Sequence, residues 1–140
     1  MSLVSIIMPY FKKEKHVFNS VKSVLNQSHE NLEIIIIDDE INEKSSKILK
    51  EISNLDSRIK LIVNEKNLGA GESRNKAIES AKGEYIAFCD CDDLWKTKKL
   101  EVQLQFMKNL DLNYSFTAYE IIDENEKIIG SRKADNIIDF

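Results

Sequence analysis

Glu84-Tyr85-Ile86-Ala87-Phe88-Cys89-Asp90-Cys91-Asp92-Asp93-Leu94-Trp95 decides the reading: a short apolar run breaks off into three carboxylates. Tyr85 to Cys89 follows Lys82-Gly83, is rich in apolar and aromatic residues, and reads as a buried strand. If the backbone stays extended a little further, side chains alternate between faces. Asp90 and Asp92 then point one way, and Cys89 and Cys91 the other. Two carboxylates about 4 Å apart repel by roughly 4 kcal/mol at an effective dielectric near 20. A hard divalent cation removes that cost. Mg2+ or Mn2+ suits carboxylate oxygens, and Mg2+ commonly takes one or two protein carboxylates together with substrate phosphates. The functional reading is a metal–diphosphate site at the carboxyl end of a strand. The plain structural alternative is a solvated acidic loop, with Asp93 capping the helix that follows.

Upstream of this stretch the chain alternates strand and helix. Val4 to Met8 is an apolar strand stopped by Pro9. Tyr10-Phe11-Lys12-Lys13 makes a turn into a helix with Val17, Val21 and Val24-Leu25 at helical spacing and Phe18 beside them. Leu32 to Ile37 is a second strand, and its run of consecutive isoleucines leaves no solvent face before Asp38-Asp39. A helix over Glu43 to Ser53 and a strand over Arg58 to Val63 come next. A polar, Gly-bearing loop from Asn64 to Gly71 then feeds a helix from about Glu72 to Lys82, with Ala77, Ile78 and Ala81 inward. Downstream, Lys96 to Leu110 reads as an amphipathic helix. Tyr114 to Ile122 and Lys127 to Gly130 form a hairpin around Asp123-Glu124-Asn125-Glu126.

Such alternation implies an α/β fold: a mostly parallel sheet flanked by helices with right-handed crossovers, as one domain over residues 1–140 with a C-terminal β-hairpin. In such sheets ligands bind outside the carboxyl ends of the strands. Pro9-Tyr10-Phe11, Asp38-Asp39 and Asp90-Cys91-Asp92-Asp93 all fall at that edge, so one crevice can collect them.

Bulk composition narrows the classes. The 140 residues are 42% hydrophobic, enough for a real core, and the net charge is −4 with scattered basic residues. No nucleic-acid footprint is present. No apolar run approaches the ~18 residues of a membrane span, and no signal peptide is visible. The two cysteines, at i and i+2, fit neither a disulfide nor a zinc motif and read as reduced, buried thiols. That points to a cytoplasmic setting.

A nucleotide needs a platform for its base, an acceptor for base N–H groups, a partner for ribose hydroxyls and charge for its phosphates. Phe11 or Tyr10 offers a ring for stacking. Asp39 can accept from a uracil or guanine N–H, Asp90 from the ribose, and Asp92 can hold the metal. Arg74, placed in the first turn of a helix after a Gly-rich loop, brings a fixed charge beside helix N–H groups that face the anion. Asp38 is assigned to structure, holding nearby backbone N–H groups. His16 and His29 read as surface residues, and Trp95 as a wedge between the acidic loop and the core.

Five segments, in order, resemble the N-terminal part of family 2 glycosyltransferases, the inverting group with the GT-A fold. They are Val4-Ser5-Ile6-Ile7-Met8-Pro9 with Phe11; Ser23-Val24-Leu25-Asn26-Gln27-Ser28; Glu33-Ile34-Ile35-Ile36-Ile37-Asp38-Asp39; Asn67-Leu68-Gly69 with Ser73-Arg74-Asn75; and Gly83-Glu84-Tyr85-Ile86 through the DxD-like Asp90-Cys91-Asp92-Asp93. The likeness runs from about Leu3 to Tyr119. It implies a GT-A-like, Rossmann-like sheet. Pro9 and Phe11 would shape the base pocket and Asp39 would contact the base. Arg74 would place the nucleotide, Asp90 would touch the ribose, and Asp92 would bind Mn2+ or Mg2+. It further implies inverting transfer from a nucleotide-diphosphate sugar, UDP-sugar foremost, to a glycan or lipid-linked acceptor in polysaccharide biosynthesis. Peripheral membrane association of the full-length enzyme is compatible with it.

The sequence also departs from that family. Phe11 and Lys12 stand where the family usually has Tyr and Asn, and Glu40-Ile41 where it usually has a small residue and Ser. A second acidic motif supplying the catalytic base has no counterpart, since Asp123, Glu124 and Glu126 lie in a turn and Asp135 and Asp139 in a tail. The expectation is a donor-binding domain from a longer enzyme, with the general base outside this chain. The rival readings are a nucleotide- and metal-binding module without transfer, a receiver-type phosphoacceptor domain, and a sugar nucleotidyltransferase. A receiver usually ends its first strand in an acidic pair, where this chain has Pro9. A nucleotidyltransferase resembles a Gly-rich loop after that strand, which is absent.

Overall fold

The computed structural model describes residues 1–134, so Asp135, Asp139 and Ile137-Ile138 lie outside the described residues. The chain divides into two compact units, Met1–Lys99 and Leu100–Phe140.

In the first unit, β1 (Val4–Tyr10), β2 (Leu32–Asp38), β3 (Ile59–Val63) and β4 (Tyr85–Phe88) form one parallel sheet in the order β3-β2-β1-β4. The helices α1 (Val17–Leu25), α2 (Glu43–Ser53) and α3 (Gly69–Ser80) alternate with the strands. The central strands are the most apolar, and Ile34 to Ile37 are fully buried. Each such side chain contributes about 1.5–3 kcal/mol on burial. Ile7, Ile35, Ile37 and Ala77 make the core on the α3 side. Val17, Val21 and Val24 are buried on α1, while Phe18 is exposed. On α2 a capping box between Asn42 and Ser45 fixes the first turn.

On α3 Ala77 is buried as expected, but Ile78 is exposed. Two expectations about the strands also fail here for identifiable reasons. Strand β1 runs through Pro9 to Tyr10 rather than stopping before the proline. The Val4 N–H and the Tyr10 carbonyl bond towards β2, whereas the carbonyls of Leu3 and Ile7 accept from Tyr85 and Cys89 on the β4 side. Pro9 shares the parity of Ile7, and β4 pairing ends at Ile7–Phe88. The missing N–H therefore faces a position where no strand remains to receive it. Second, β4 is not covered on both faces. It is an edge strand, and Ile86 and Phe88 are exposed while Tyr85 and Ala87 are only partly buried.

The entry to β4 is held by a knot of short contacts. Ser5 Oγ donates to Glu33 Oε1 at 2.6 Å and accepts from Gly83 N at 2.8 Å, and Lys82 N donates to the same Glu33 oxygen at 2.7 Å. A Cβ on Gly83 would sit 2.6 Å from Ser5 N and 2.8 Å from the Tyr85 carbonyl.

The second unit holds α4 (Lys99–Asn109) from its second residue on, and an antiparallel hairpin of β5 (Tyr119–Ile122) and β6 (Ile128–Arg132). The first hairpin strand begins at Tyr119, not Tyr114, because its pairing with β6 ends at Tyr119–Arg132. Asp123 Oδ1 accepts from Asn125 N and Lys127 N and so shapes the turn. Among the described residues no helix is long and apolar enough to cross a membrane.

Gly83→Ala should lower the stability of the chain by about 2–3 kcal/mol, because the added methyl overlaps backbone that cannot retreat. Thermal melting of the two proteins checks this, and an unchanged midpoint contradicts it.

Candidate functional site

The alternation that buries Ile35 and Ile37 on the α3 side carries one residue past the end of β2. Asp39 lands on the same side, at the amino end of α3, and is 3% exposed. Its Oδ1 accepts from Leu68 N at 2.7 Å and Asn64 Nδ2 at 2.8 Å. Its Oδ2 accepts from Gly69 N at 2.9 Å and Asn67 Nδ2 at 3.1 Å. A helix begins with unpaired N–H groups and a partial positive charge, and a carboxylate satisfies both. Burial pushes the Asp39 carboxyl up, but donation from Leu68, Asn64, Gly69 and Ser73 outweighs it, and the net pKa lies below the ordinary carboxylate value.

Asp38, on the opposite face, does what alternation predicts. Its Oδ1 accepts from Glu40 N and Ile41 N, and its Oδ2 accepts from Ser45 Oγ. Ile41 is held there at φ 60°, a left-handed conformation costing a β-branched residue about 1–2 kcal/mol. Lys12 is also left-handed, at φ 52°. Asn tolerates that region better than Lys. Glu40, like Lys12 a departure from the pattern of the resembling family, accepts from Lys12 N through Oε2 at 3.1 Å. The two unusual residues thus tie the β1 and β2 turns together.

The helix α3 opens at Gly69, so Gly69-Ala70-Gly71 belongs to its first turn rather than to a preceding loop. Arg74 accordingly sits in the second turn. The leading N–H groups of Leu68 and Gly69 face Asp39 and not an open anion site. Arg74 Nη2 donates to Asp90 Oδ1 at 2.8 Å, and not to Glu72 or Glu79 on its own helix.

The acidic loop keeps the inward and outward rhythm read from the sequence: Cys89 and Cys91 are buried, Asp90 and Asp92 exposed. Asp93 N donates to the Asp90 carbonyl at 3.0 Å, closing a turn. The helix α4 starts at Lys99, so Asp93 is not its cap. Burial, then the neighbouring charges of Asp90 and Asp92, raise the Asp93 pKa. From α1, Ser20 Oγ donates to the Asp90 carbonyl and Ser23 Oγ accepts from Trp95 N, which anchors the loop at both ends. Lys99 Nζ stands 4.2 Å from the Trp95 ring centroid. Burial pushes the Cys89 thiol up to about 12 and raises Cys91 as well, so both remain uncharged thiols at neutral pH.

Lys13, which sequence reasoning passed over as part of a turn, donates from Nζ to Asp92 Oδ2 at 2.6 Å. That bond raises the Lys13 pKa above its usual value, against burial. Asn64 was missed too. It lies just past β3, at the same carboxyl rim that singled out the other strand ends. Phe11 is 46% exposed with Lys12 Nζ 5.2 Å from its ring centroid, so its face is not consumed by the core. Pro9 is partly buried in β1. His29 is not a surface residue: it is buried, and its Nε2 lies 2.8 Å from the Ser2 carbonyl oxygen. His16 is half-buried at the N-cap of α1.

Asp39, Arg74, Asp90, Asp92 and Lys13 are therefore joined through α3 and the two turns at one rim of the sheet. Among the described residues no three His, Cys, Asp or Glu side chains gather into a metal cage. An ion of the Mg2+ class that also takes oxygens from substrate phosphates needs only one or two protein carboxylates, and Asp90 and Asp92 fit that demand.

The profile of the family described as Glycosyl transferase family 2 matches residues 5–137. The chain is 42% identical over 123 residues to the putative teichuronic acid biosynthesis glycosyltransferase TuaG of Bacillus subtilis, covering 88% of this chain and 49% of that protein. It is 41% identical over 128 residues to the UDP-Glc:alpha-D-GlcNAc-diphosphoundecaprenol beta-1,3-glucosyltransferase WfgD of Escherichia coli, covering 91% and 49%. The chain thus spans about half the length of these curated relatives. Residues 1–349 of S. aureus TarS superpose with TM-score 0.68 at 27% identity, over 78% of this chain and 33% of that one. The mannosyltransferase PcManGT from Pyrobaculum calidifontis, solved with GDP-Man and Mn2+, superposes with TM-score 0.69 over 86% of this chain and 35% of that one. At 16% identity it shows the shared GT-A fold alone.

The lowered Asp39 pKa fixes a pH dependence. Its stabilisation is fully present above the unfolded carboxylate value of about 3.9 and is lost as pH falls through the lower folded value. Asp39→Asn should remove that segment of the acid unfolding curve and cost about 1–3 kcal/mol at neutral pH. Denaturant titrations from neutral pH down to about pH 3 test it, and parallel curves for both proteins would contradict it.

Proposed function

The chain belongs to glycosyl transferase family 2, and from that premise we propose that it forms the donor side of a metal-assisted transferase using a nucleotide-diphosphate sugar, most simply a UDP-sugar. The observation that carries this is the pairing of each outward carboxylate of the acidic loop with a cation, Asp90 with Arg74 and Asp92 with Lys13. Charges so arranged at the carboxyl rim of a parallel sheet match what a diphosphate and its cation require.

In this reading Phe11 offers its exposed face to the base and Pro9 shapes the turn beneath it. Asp39 borders the base through the amino end of α3. Its oxygens already accept from four protein groups, so its contribution is chiefly to fix the Asn64–Gly69 segment. Asp90 accepts from the ribose and Arg74 orients the nucleotide. Asp92, with Asp90 beside it, holds Mn2+ or Mg2+. The bound cation supplies Lewis-acid stabilisation of the departing diphosphate. The acceptor hydroxyl attacks the anomeric carbon from the opposite side, the bond to the diphosphate breaks, and inversion follows. The general base and the acceptor surface are assigned to sequence of the kind the longer relatives carry in their remaining half. WfgD is named for a UDP-Glc donor and a diphosphoundecaprenol-linked acceptor. That supports a UDP-sugar donor and a lipid-linked or glycan acceptor in polysaccharide biosynthesis.

UDP together with Mn2+ should raise the melting temperature by about 10 °C at a hundredfold excess over Kd, and UDP alone by much less. Asp92→Ala should erase the metal-dependent part. Indifference to every nucleoside diphosphate, with or without Mn2+, would defeat the proposal.

A further inference from the structure

This inference rests on the diphosphate reading above and concerns how the site is regulated before its ligand arrives. Lys13 lies on the turn after β1, and Asp92 on the turn after β4. Their 2.6 Å contact joins side chains 41% and 37% exposed. Lys13 also feels the charge of Asp90, which is itself bonded to Arg74. Both outward carboxylates thus carry a cation of the protein's own. An ammonium and a divalent ion on the same carboxylate repel one another, so a bare metal ion must first evict Lys13. A diphosphate changes that balance, because it offers the evicted ammonium new oxygen acceptors within the same crevice. Lysine suits such a transfer: it is a compact charge on a flexible four-carbon stem with three rotatable donors. Partly exposed ion pairs are also weak enough to exchange.

We propose that Lys13 is a resident counter-ion of Asp92 that passes to the diphosphate when cation and nucleotide enter together. Lys13 is then a positioning residue for the metal and a direct contact for the phosphates. It keeps the bare cation weakly bound and makes cation and nucleotide bind with positive coupling, which by linkage is reciprocal.

The test is Mn2+ binding followed by electron paramagnetic resonance, with and without UDP, corrected for Mn2+–UDP association in solution. Lys13→Met should bind Mn2+ alone about three- to fivefold tighter than wild type, the scale of a partly exposed ion pair. It should bind UDP in the presence of Mn2+ about tenfold more weakly, as loss of a charged hydrogen bond implies. Lys13→Arg should restore weak binding of bare Mn2+. If the Met variant melts early, Lys13→Gln serves in its place. Unchanged or weaker binding of bare Mn2+ by the truncated variant, with wild type still taking Mn2+ and UDP together, overturns the counter-ion role alone. Wild-type protein that binds Mn2+ but never UDP overturns the nucleotide reading, and the exchange with it.

Discussion

The carboxylate of Asp39 is the contact on which the rest of the site depends. It stands at the end of β2, receives the leading N–H groups of α3, and is flanked by the amides of Asn64 and Asn67. Hydrogen bonds to a charged acceptor are worth about 1.5–3 kcal/mol each. Helix α3 is therefore fixed in position relative to the sheet by its own amino end. Arg74 rides on that helix and reaches Asp90 across the rim. One buried negative charge thus sets where an outer positive charge can act.

The rim is a balance of charges rather than an acidic patch. Arg74 and Lys13 offset Asp90 and Asp92, while Glu40 is spent on Lys12 N and Asn42 Nδ2. Among the described residues Asp93 forms no such ion pair, and desolvation together with the charges of Asp90 and Asp92 raises its pKa. The serines of α1 that hold the Asp90 carbonyl and the Trp95 N–H keep the loop in place without using any of its carboxylates.

Much of this was legible in the sequence because it follows from period-two alternation. The burial of Ile34 to Ile37 follows from an unbroken apolar run, while the opposite facing of Asp38 and Asp39 and the outward Asp90 and Asp92 beside inward cysteines come from alternation. What stayed hidden depends on contacts across long stretches of chain. Nothing local marks Lys13 as the partner of a residue 79 positions away. Nothing local shows that the glycines at 69 and 71 lie inside a helix whose first N–H groups an aspartate has claimed. The edge position of β4, with Ile86 and Phe88 exposed, depends on strand order, which its own composition does not encode. The end of β1 was misjudged because a proline reads as a stop, unless it is known which neighbour its nitrogen faces.

That proline has a further consequence. Sheets grow by offering donors and acceptors along an open side, and a strand that outruns its neighbour invites a newcomer to zip alongside. Beyond Ile7, β1 outruns β4, yet the next nitrogen on that side carries no hydrogen. A stray strand therefore finds no donor at Pro9 with which to extend the ladder past Ile7.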